Sequence, residues 1–334
     1  MSTKRWIALL VAFVLLVGSL AINTLSMAAF TNFGSMFEEE DTRWSEHVIE
    51  KGDPGVTGKI AVLNVNGTIQ ETYDAPLFMD TSSYRHRTFL SMLEHAGEDP
   101  NVEGIIIRVN SPGGGVVESA EVHDKIIEVQ EEFQKPIYIS MGSMAASGGY
   151  YIAAPADKIV ANASTITGSL GVIFQSLNVS ELADEYGIKL ETIKSGPYKD
   201  IMSPTREMLD EERAILQSML DESYDEFVRI IASGRNLSEA RVRELADGRI
   251  YSGLQAKELD LIDEIGSFDD TVDLLVEEID RGRLDVIRYE TPFGFNSFFM
   301  MSAEKWLTAD HDLLGIKELL NRTNSPTLMY LYTR

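Results

Sequence analysis

Two glycine-rich turns, each directly after an apolar strand-like run, constrain this chain's fold more than any other feature. Gly104-Ile-Ile-Ile-Arg-Val109 leads into Asn110-Ser-Pro-Gly-Gly-Gly115, and Ile137-Tyr-Ile-Ser140 leads into Gly142-Ser-Met-Ala-Ala-Ser147-Gly-Gly-Tyr-Tyr151. Short runs that are apolar almost throughout read as strands buried on both faces, the habit of parallel sheets. The intervals around them have helical spacing. Tyr84 to Ala96 groups Phe89, Leu90, Met92 and Leu93 on one side, and Val117 to Phe133 is amphipathic. Ile60-Ala-Val-Leu-Asn-Val65 is a further strand, and 147 to 187 reads as helix, strand, helix. Lys189 to Lys194 reads as another strand, and 206 to 247 as mostly helical. Strands alternating with helices at these intervals predict an α/β core with a parallel sheet. Such sheets place their sites outside the carboxyl ends of the strands, where both glycine turns fall.

The termini differ from this core. Lys4 and Arg5 precede an apolar run from Trp6 to Ile22 that fades towards Phe30. Its length favours a membrane-spanning anchor over a secretory h-region, although Met27-Ala-Ala leaves a cleavage site conceivable. The positive charges then place the bulk of the chain on the extracytoplasmic side of a cell membrane. The expected organisation is a cytoplasmic tip and anchor over 1–30 and an acidic juxtamembrane linker over 31–57. A catalytic α/β domain follows over 58–290, then an extension over 291–334 containing a helix and an apolar tail. The aromatic and methionine-rich stretch 291–309 reads as core or as a surface that meets another subunit. Leu328-Met-Tyr-Leu-Tyr332 is apolar for a terminus, and an extended apolar tail can lie in a groove of its own or a neighbouring subunit, or pack as a terminal strand or helix.

Composition excludes several functions. The net charge of −24 argues against a nucleic-acid partner, which needs a basic surface. The absence of cysteine removes disulfides, thiol nucleophiles and cysteine-rich zinc sites. The five histidines, at 47, 86, 95, 123 and 311, lack metal-ligand spacing, and neither glycine turn matches a phosphate- or dinucleotide-binding fingerprint. No metal and no cofactor is expected.

What remains is hydrolytic chemistry. Ser147 sits among Ala145, Ala146, Gly148 and Gly149, small enough to let a peptide carbonyl approach. If Ser147 opens a helix through Tyr150 and Tyr151, the helix dipole helps to hold an oxyanion. The turn at 113–115 offers further N–H donors. No histidine lies between His123 and His311, so the local base is lysine: Lys199, in Lys194-Ser-Gly-Pro-Tyr-Lys-Asp-Ile-Met-Ser-Pro204. A Ser–Lys pair is one variant of the serine hydrolase arrangement. A free lysine titrates near about 10.4 and a general base near neutrality must lie about 3 units lower, which burial among apolar groups supplies. Pro197, Tyr198, Ile201 and Met202 suit that demand, while Asp200 opposes it if its carboxylate points inwards. Ser169, in Thr167-Gly-Ser-Leu-Gly171, is a candidate to orient a neutral amine, or simply a hydroxyl satisfying a turn.

These four motifs, in this order, resemble the bacterial signal peptide peptidase A family in its short, single-core form, from about Lys59 to Ile287. Gly248-Arg-Ile-Tyr-Ser-Gly253 through Leu261-Ile-Asp-Glu-Ile-Gly266 resembles the family's closing segment. The resemblance implies a fold of the Clp-protease/crotonase type, a β-superhelix of parallel strands and helices. It implies a serine endopeptidase in which Ser147 is the nucleophile, Lys199 the general base and Ser169 the residue orienting the lysine. Gly114 and the Ser147 N–H would form the oxyanion hole. It implies remnant signal peptides as substrates, a membrane location, and a homo-oligomeric ring in which serine and lysine can meet across a subunit boundary. The rival readings are a crotonase-like acyl-CoA enzyme, disfavoured by the acidic surface, and an inactive membrane scaffold, disfavoured by the intact Ser147 and Lys199.

Overall fold

The computed structural model describes residues 5–7, 10, 13–20, 44–71, 84–290 and 328–332. The chain divides into two units, Met1–Ser45 and Glu46–Arg334. In the first, the described residues between 5 and 20 are helical and exposed, Trp6, Leu10, Phe13 and Leu15 among them. Among the described residues no helix is long and apolar enough to cross a membrane, and most of the expected anchor from Trp6 to Phe30 lies outside them. The stretch 291–309 also lies outside the described residues.

The second unit is built on a nine-stranded, mostly parallel sheet among the described residues, consistent with the expected α/β class. Its centre is β2 (Lys59–Asn66), β3 (Val102–Ser111) and β5 (Ile137–Ala146), parallel in that order. Outside β5 lie β6 (Lys158–Ala161) and β9 (Glu264–Ile265); outside β2 lie β10 (Asp285–Glu290) and β1 (Ser45–Glu50). Part of the stretch read as linker is therefore an edge strand. Ile105, Ile106, Ile107 and Val109 are all fully buried, which is why β3 carries no alternation in sequence. One face is sealed by a helix, Phe268–Ile279, whose Val272 and Leu275 pack with Ile60, Val62, Ile106, Tyr138, Leu284 and Val286. Each such side chain contributes about 1.5–3 kcal/mol by burial.

Strand β5 does more than its apolar half suggests. Tyr138–Met141 pair with β6, whereas Met144–Ala146 pair with β7 (Ile166–Gly168), so the strand changes partner half-way and runs on to Ser147. Strand β7 pairs in turn with β8 (Ile250–Ser252), antiparallel. The strand expected over Lys189–Lys194 is absent. These residues are exposed, with Ile193 fully so and Leu190 at 67% exposure, and no neighbouring strand in the described chain supplies a ladder.

Candidate active site

Ser147 directly follows β5 with φ 54° and ψ −117°, a conformation that non-glycine residues avoid and that sharp strand-to-helix turns impose on nucleophiles. Its residue is 1% exposed and its Oγ has no hydrogen-bond partner among the described residues. A buried hydroxyl without a partner normally costs about 1–3 kcal/mol, so its retention needs a reason beyond folding. The helix after it, Gly148–Tyr151, is a single turn. The expected helix-dipole contribution is correspondingly small, because the macrodipole needs aligned peptides along a longer helix.

The Ser147 N–H is not a free oxyanion donor, which corrects the sequence reading. It donates to the Gly168 carbonyl at 2.8 Å, the bond that ties the turn to β7. The same bond puts Ser169, the next residue along, beside the Ser147 backbone. Ser169 also has positive φ (50°), is nearly buried, and donates its own N–H to the Arg249 carbonyl at 2.7 Å. The structure thus brings Ser147 and Ser169 into one corner.

The second glycine turn faces that corner. Gly113–Gly115 forms β4 and carries strand bonds on both edges. On one edge Gly115 N–H donates to the Ile69 carbonyl (2.8 Å) and Ile69 N–H to the Gly113 carbonyl (2.9 Å). Only glycine fits at 114, since a Cβ there would lie 1.8 Å from the Ile69 carbonyl oxygen. A Gly114→Ala variant is expected to lose at least about a hundredfold in kcat/KM, the order of an oxyanion donor, and to melt lower. A peptidase assay beside a thermal melt checks both, and unchanged activity would remove Gly114 from the site.

The other edge of β4 is occupied by the chain's own tail. Met329–Leu331 forms β11 and pairs antiparallel with Gly113–Gly115, placing Tyr330 opposite Gly114. Tyr332 N–H donates to the Pro112 carbonyl (2.9 Å) and Val116 N–H to the Leu328 carbonyl (3.3 Å). Antiparallel ladders bond at every second pair, so Gly114 with Tyr330, midway between these two, is also a bonded pair. The tail's far side exchanges bonds with Ile173 through Met329, at 3.1 and 3.3 Å. A Cβ built on Gly113 would meet the Tyr330 carbonyl oxygen at 2.0 Å and the Gly148 nitrogen at 2.7 Å, so those two atoms crowd the same spot. The Gly148 nitrogen is therefore the atom of the serine turn that stands near the tail carbonyl, and no hydrogen bond joins the two among the described residues.

The Tyr330 side chain is fully buried. It stacks on Tyr151 with ring centroids 4.8 Å apart, meets Phe227 at 4.7 Å, and donates its hydroxyl to the Ser223 carbonyl at 2.9 Å. Sequence reasoning missed Ile69, Ile173 and the helix turn Ser223–Phe227, three places far apart in the chain. Tyr150 turns into the core, donating to the Leu261 carbonyl.

Lys199 is not brought to Ser147 in this chain. It lies exposed in the turn 194–206, and no hydrogen bond joins it to Ser147 or Ser169. The residues around it are apolar and exposed as well: Leu177, Tyr186, Ile188, Leu190 and Ile193 each exceed 60% exposure. The adjacent Asp200 does not stand free. It accepts from Arg206 (2.7 and 3.1 Å) and from Lys194 Nζ (2.6 Å), and those cations hold its carboxyl well below the usual range.

The sequence profile of peptidase family S49 covers residues 130–280, the stretch containing Ser147, Ser169 and Lys199. A chain of Enterococcus faecium, provisionally named signal peptide peptidase SppA, is 37% identical over 346 aligned positions, 99% of each chain. The chain belongs to peptidase family S49. It is a serine peptidase, as the resemblance implied, and its relatives lend nothing to the acyl-CoA and scaffold readings. Protease 4 of Salmonella typhi is 34% identical over 64% of this chain and 34% of its own length. The chloroplastic serine protease SPPA of Arabidopsis thaliana is 31% identical over 65% of this chain and 32% of its own.

Proposed function

We propose that this S49 peptidase degrades signal peptides as extended strands, with Ser147 as nucleophile and Lys199 as general base. The observation that carries the reading is the tail, held as an added antiparallel strand between Gly113–Gly115 and Ile173 with a carbonyl near the Gly148 N–H. A peptide substrate needs that geometry. Main-chain bonds give sequence-tolerant affinity, and one aromatic-lined pocket gives preference. Segments rich in leucine, alanine and valine suit such a groove, and the Enterococcus faecium relative bears the name of a signal peptide peptidase. In the mechanism, neutral Lys199 takes the Ser147 proton as Oγ attacks the carbonyl, and Gly114 and Gly148 N–H hold the oxyanion. The same lysine then activates the water that releases the acyl group. Ser169 orients the amine. The finer fold is the Clp-protease/crotonase superhelix.

The nucleophile lacks a partner among the described residues and the base is exposed on an apolar arm, so we read the site as completed by a second copy. In a ring, the arm 174–209 of one subunit would bring Lys199 to Ser147 of the next. The exposed apolar helix near the amino terminus supports a membrane anchor, with the catalytic domain on the extracytoplasmic side.

Cleavage of a synthetic signal peptide by the full chain and by Lys199→Ala, across pH 6 to 10, tests this. Wild type should show a basic limb, and Lys199→Ala should be inactive throughout; equal activity would sink the dyad. Deleting residues 323–334 should raise kcat/KM on short peptides about tenfold, because a tethered occupant competes at about millimolar effective concentration. An unchanged rate would mean that the tail is only structural.

A further inference from the structure

The charges around Lys199 form a closed network that the peptidase reading does not use. Arg206 lies between the lysine turn and a long helix, Asp210–Gly234, and is about one-quarter exposed. Its Nη2 donates to Asp200 Oδ1 (2.7 Å), to the Asp200 backbone carbonyl (2.9 Å) and to Glu212 Oε1 (2.5 Å). Its Nε donates to Asp200 Oδ2 (3.1 Å), and its Nη1 to Glu212 Oε2 (2.8 Å) and the Glu207 carbonyl (2.9 Å). Glu212 is fully buried in the first turn of that helix, where it also accepts the Leu209 N–H at 2.9 Å. Lys194 donates to Asp200 Oδ1 from the opposite end of the turn.

Two cations and two anions therefore balance within one cluster beside Lys199. Of the other charged groups near the turn, Glu207, Asp210 and Glu211 follow it. Glu181 stands on the short helix Ser180–Glu185, reached through the Val179 N–H to Pro204 carbonyl bond. None of these four forms an ion pair with Asp200 or Arg206 among the described residues.

We propose that Arg206 is a positioning residue for the peptidase reaction: it neutralises Asp200, whose charge would otherwise keep the neighbouring Lys199 protonated, and it fastens the lysine turn to the buried Glu212. The proposal rests on the reading of Lys199 as general base. The fork geometry matters because guanidinium holds two carboxylates and a carbonyl at once, which an ammonium cannot. The Arg206 and Lys194 bonds already hold the Asp200 carboxyl far down, so the anion persists at every working pH and must be balanced rather than protonated away.

The test uses the full chain and kcat/KM for a synthetic signal peptide from pH 6 to 10. Arg206→Gln should move the basic limb up by about half to one pH unit, the size expected for one unit charge at a part-exposed site. At pH 7 its kcat should fall about three- to tenfold, with KM nearly unchanged, since a limb moved by that much leaves that much less neutral amine. Asp200→Asn should move the limb down, the double variant should return close to wild type, and Arg206→Lys should keep the limb in place. A uniform loss of rate in Arg206→Gln with an unmoved limb, or a double variant that recovers nothing, would reduce Arg206 to a structural brace. If Arg206→Gln does not fold, Asp200→Asn decides alone, and an unmoved limb there overturns the proposal. Full activity in Lys199→Ala would instead remove the base reading itself, so the two failures are told apart.

Discussion

Replacing Ser147 with alanine should lower kcat/KM for a synthetic signal peptide by at least about four orders of magnitude, the loss expected when a nucleophile is removed and only binding and oxyanion donors remain. The same substitution should raise the melting temperature. The wild-type hydroxyl is buried with no partner among the described residues, on a backbone at φ 54°. Removing the hydroxyl relieves an unmet hydrogen bond of about 1–3 kcal/mol. Ser147→Gly should melt higher still, because glycine also tolerates the positive φ. A residue whose loss stabilises the protein while abolishing turnover is one retained for chemistry. Activity within tenfold of wild type in both variants would take Ser147 out of the reaction. A lowered melting temperature in both would mean that its hydroxyl has a structural partner in the assembled enzyme.

The part of the site that could be read in sequence is the part made by local chemistry. Ser147 and Gly114 lie in glycine turns after strands, and the buried runs at Ile105–Ile107 and Ile137–Ile139 announce a parallel sheet by lacking alternation. The lower half of β5 could not be read. Gly142–Ala146 has no apolar pattern, and its pairing is fixed by distant side chains. Thr165 Oγ1 donates to the Gly142 carbonyl and Asn110 Oδ1 accepts the Met144 N–H. Donor assignment failed for a related reason: which N–H is free depends on Gly168, twenty-one residues on, accepting the Ser147 N–H. Lys189–Lys194 has strand composition but no partner strand among the described residues. The tail's seat on Gly113–Gly115 joins residues more than two hundred positions apart. The Arg206 cluster did leave a trace, because Lys194, Asp200, Arg206 and Glu212 alternate in sign every six residues. Six residues is not a multiple of the helix period, and the turn forms no strand that would use the period of two, so the pattern reads as solvated charge until the turn is folded.

Mixing two inactive variants should produce an active enzyme. The full-length Ser147→Ala protein keeps Lys199, and Lys199→Ala keeps Ser147. If each site takes its serine from one subunit and its lysine from the next, random co-assembly at equal amounts gives about one quarter of the interfaces an intact dyad. Activity should therefore rise from background to about a quarter of wild type per chain, and only after dissociation and reassembly, because intact homo-oligomers exchange no interface. The physical basis is the separation of the two groups within one chain. Among the described residues Ser147 is buried without a partner, whereas Lys199 is exposed on an arm whose Leu190 and Ile193 find no cover. Leaving those side chains in water forfeits about 25 cal/mol for every Å² of apolar surface, a cost that a neighbouring subunit would remove. Co-assembly with a third chain carrying both Ser147→Ala and Lys199→Ala supplies the control: mixed with Ser147→Ala it should stay silent. If the Ser147→Ala and Lys199→Ala mixture is equally silent after reassembly, each site is made by a single chain, and the arm must fold back to carry Lys199 to its own serine.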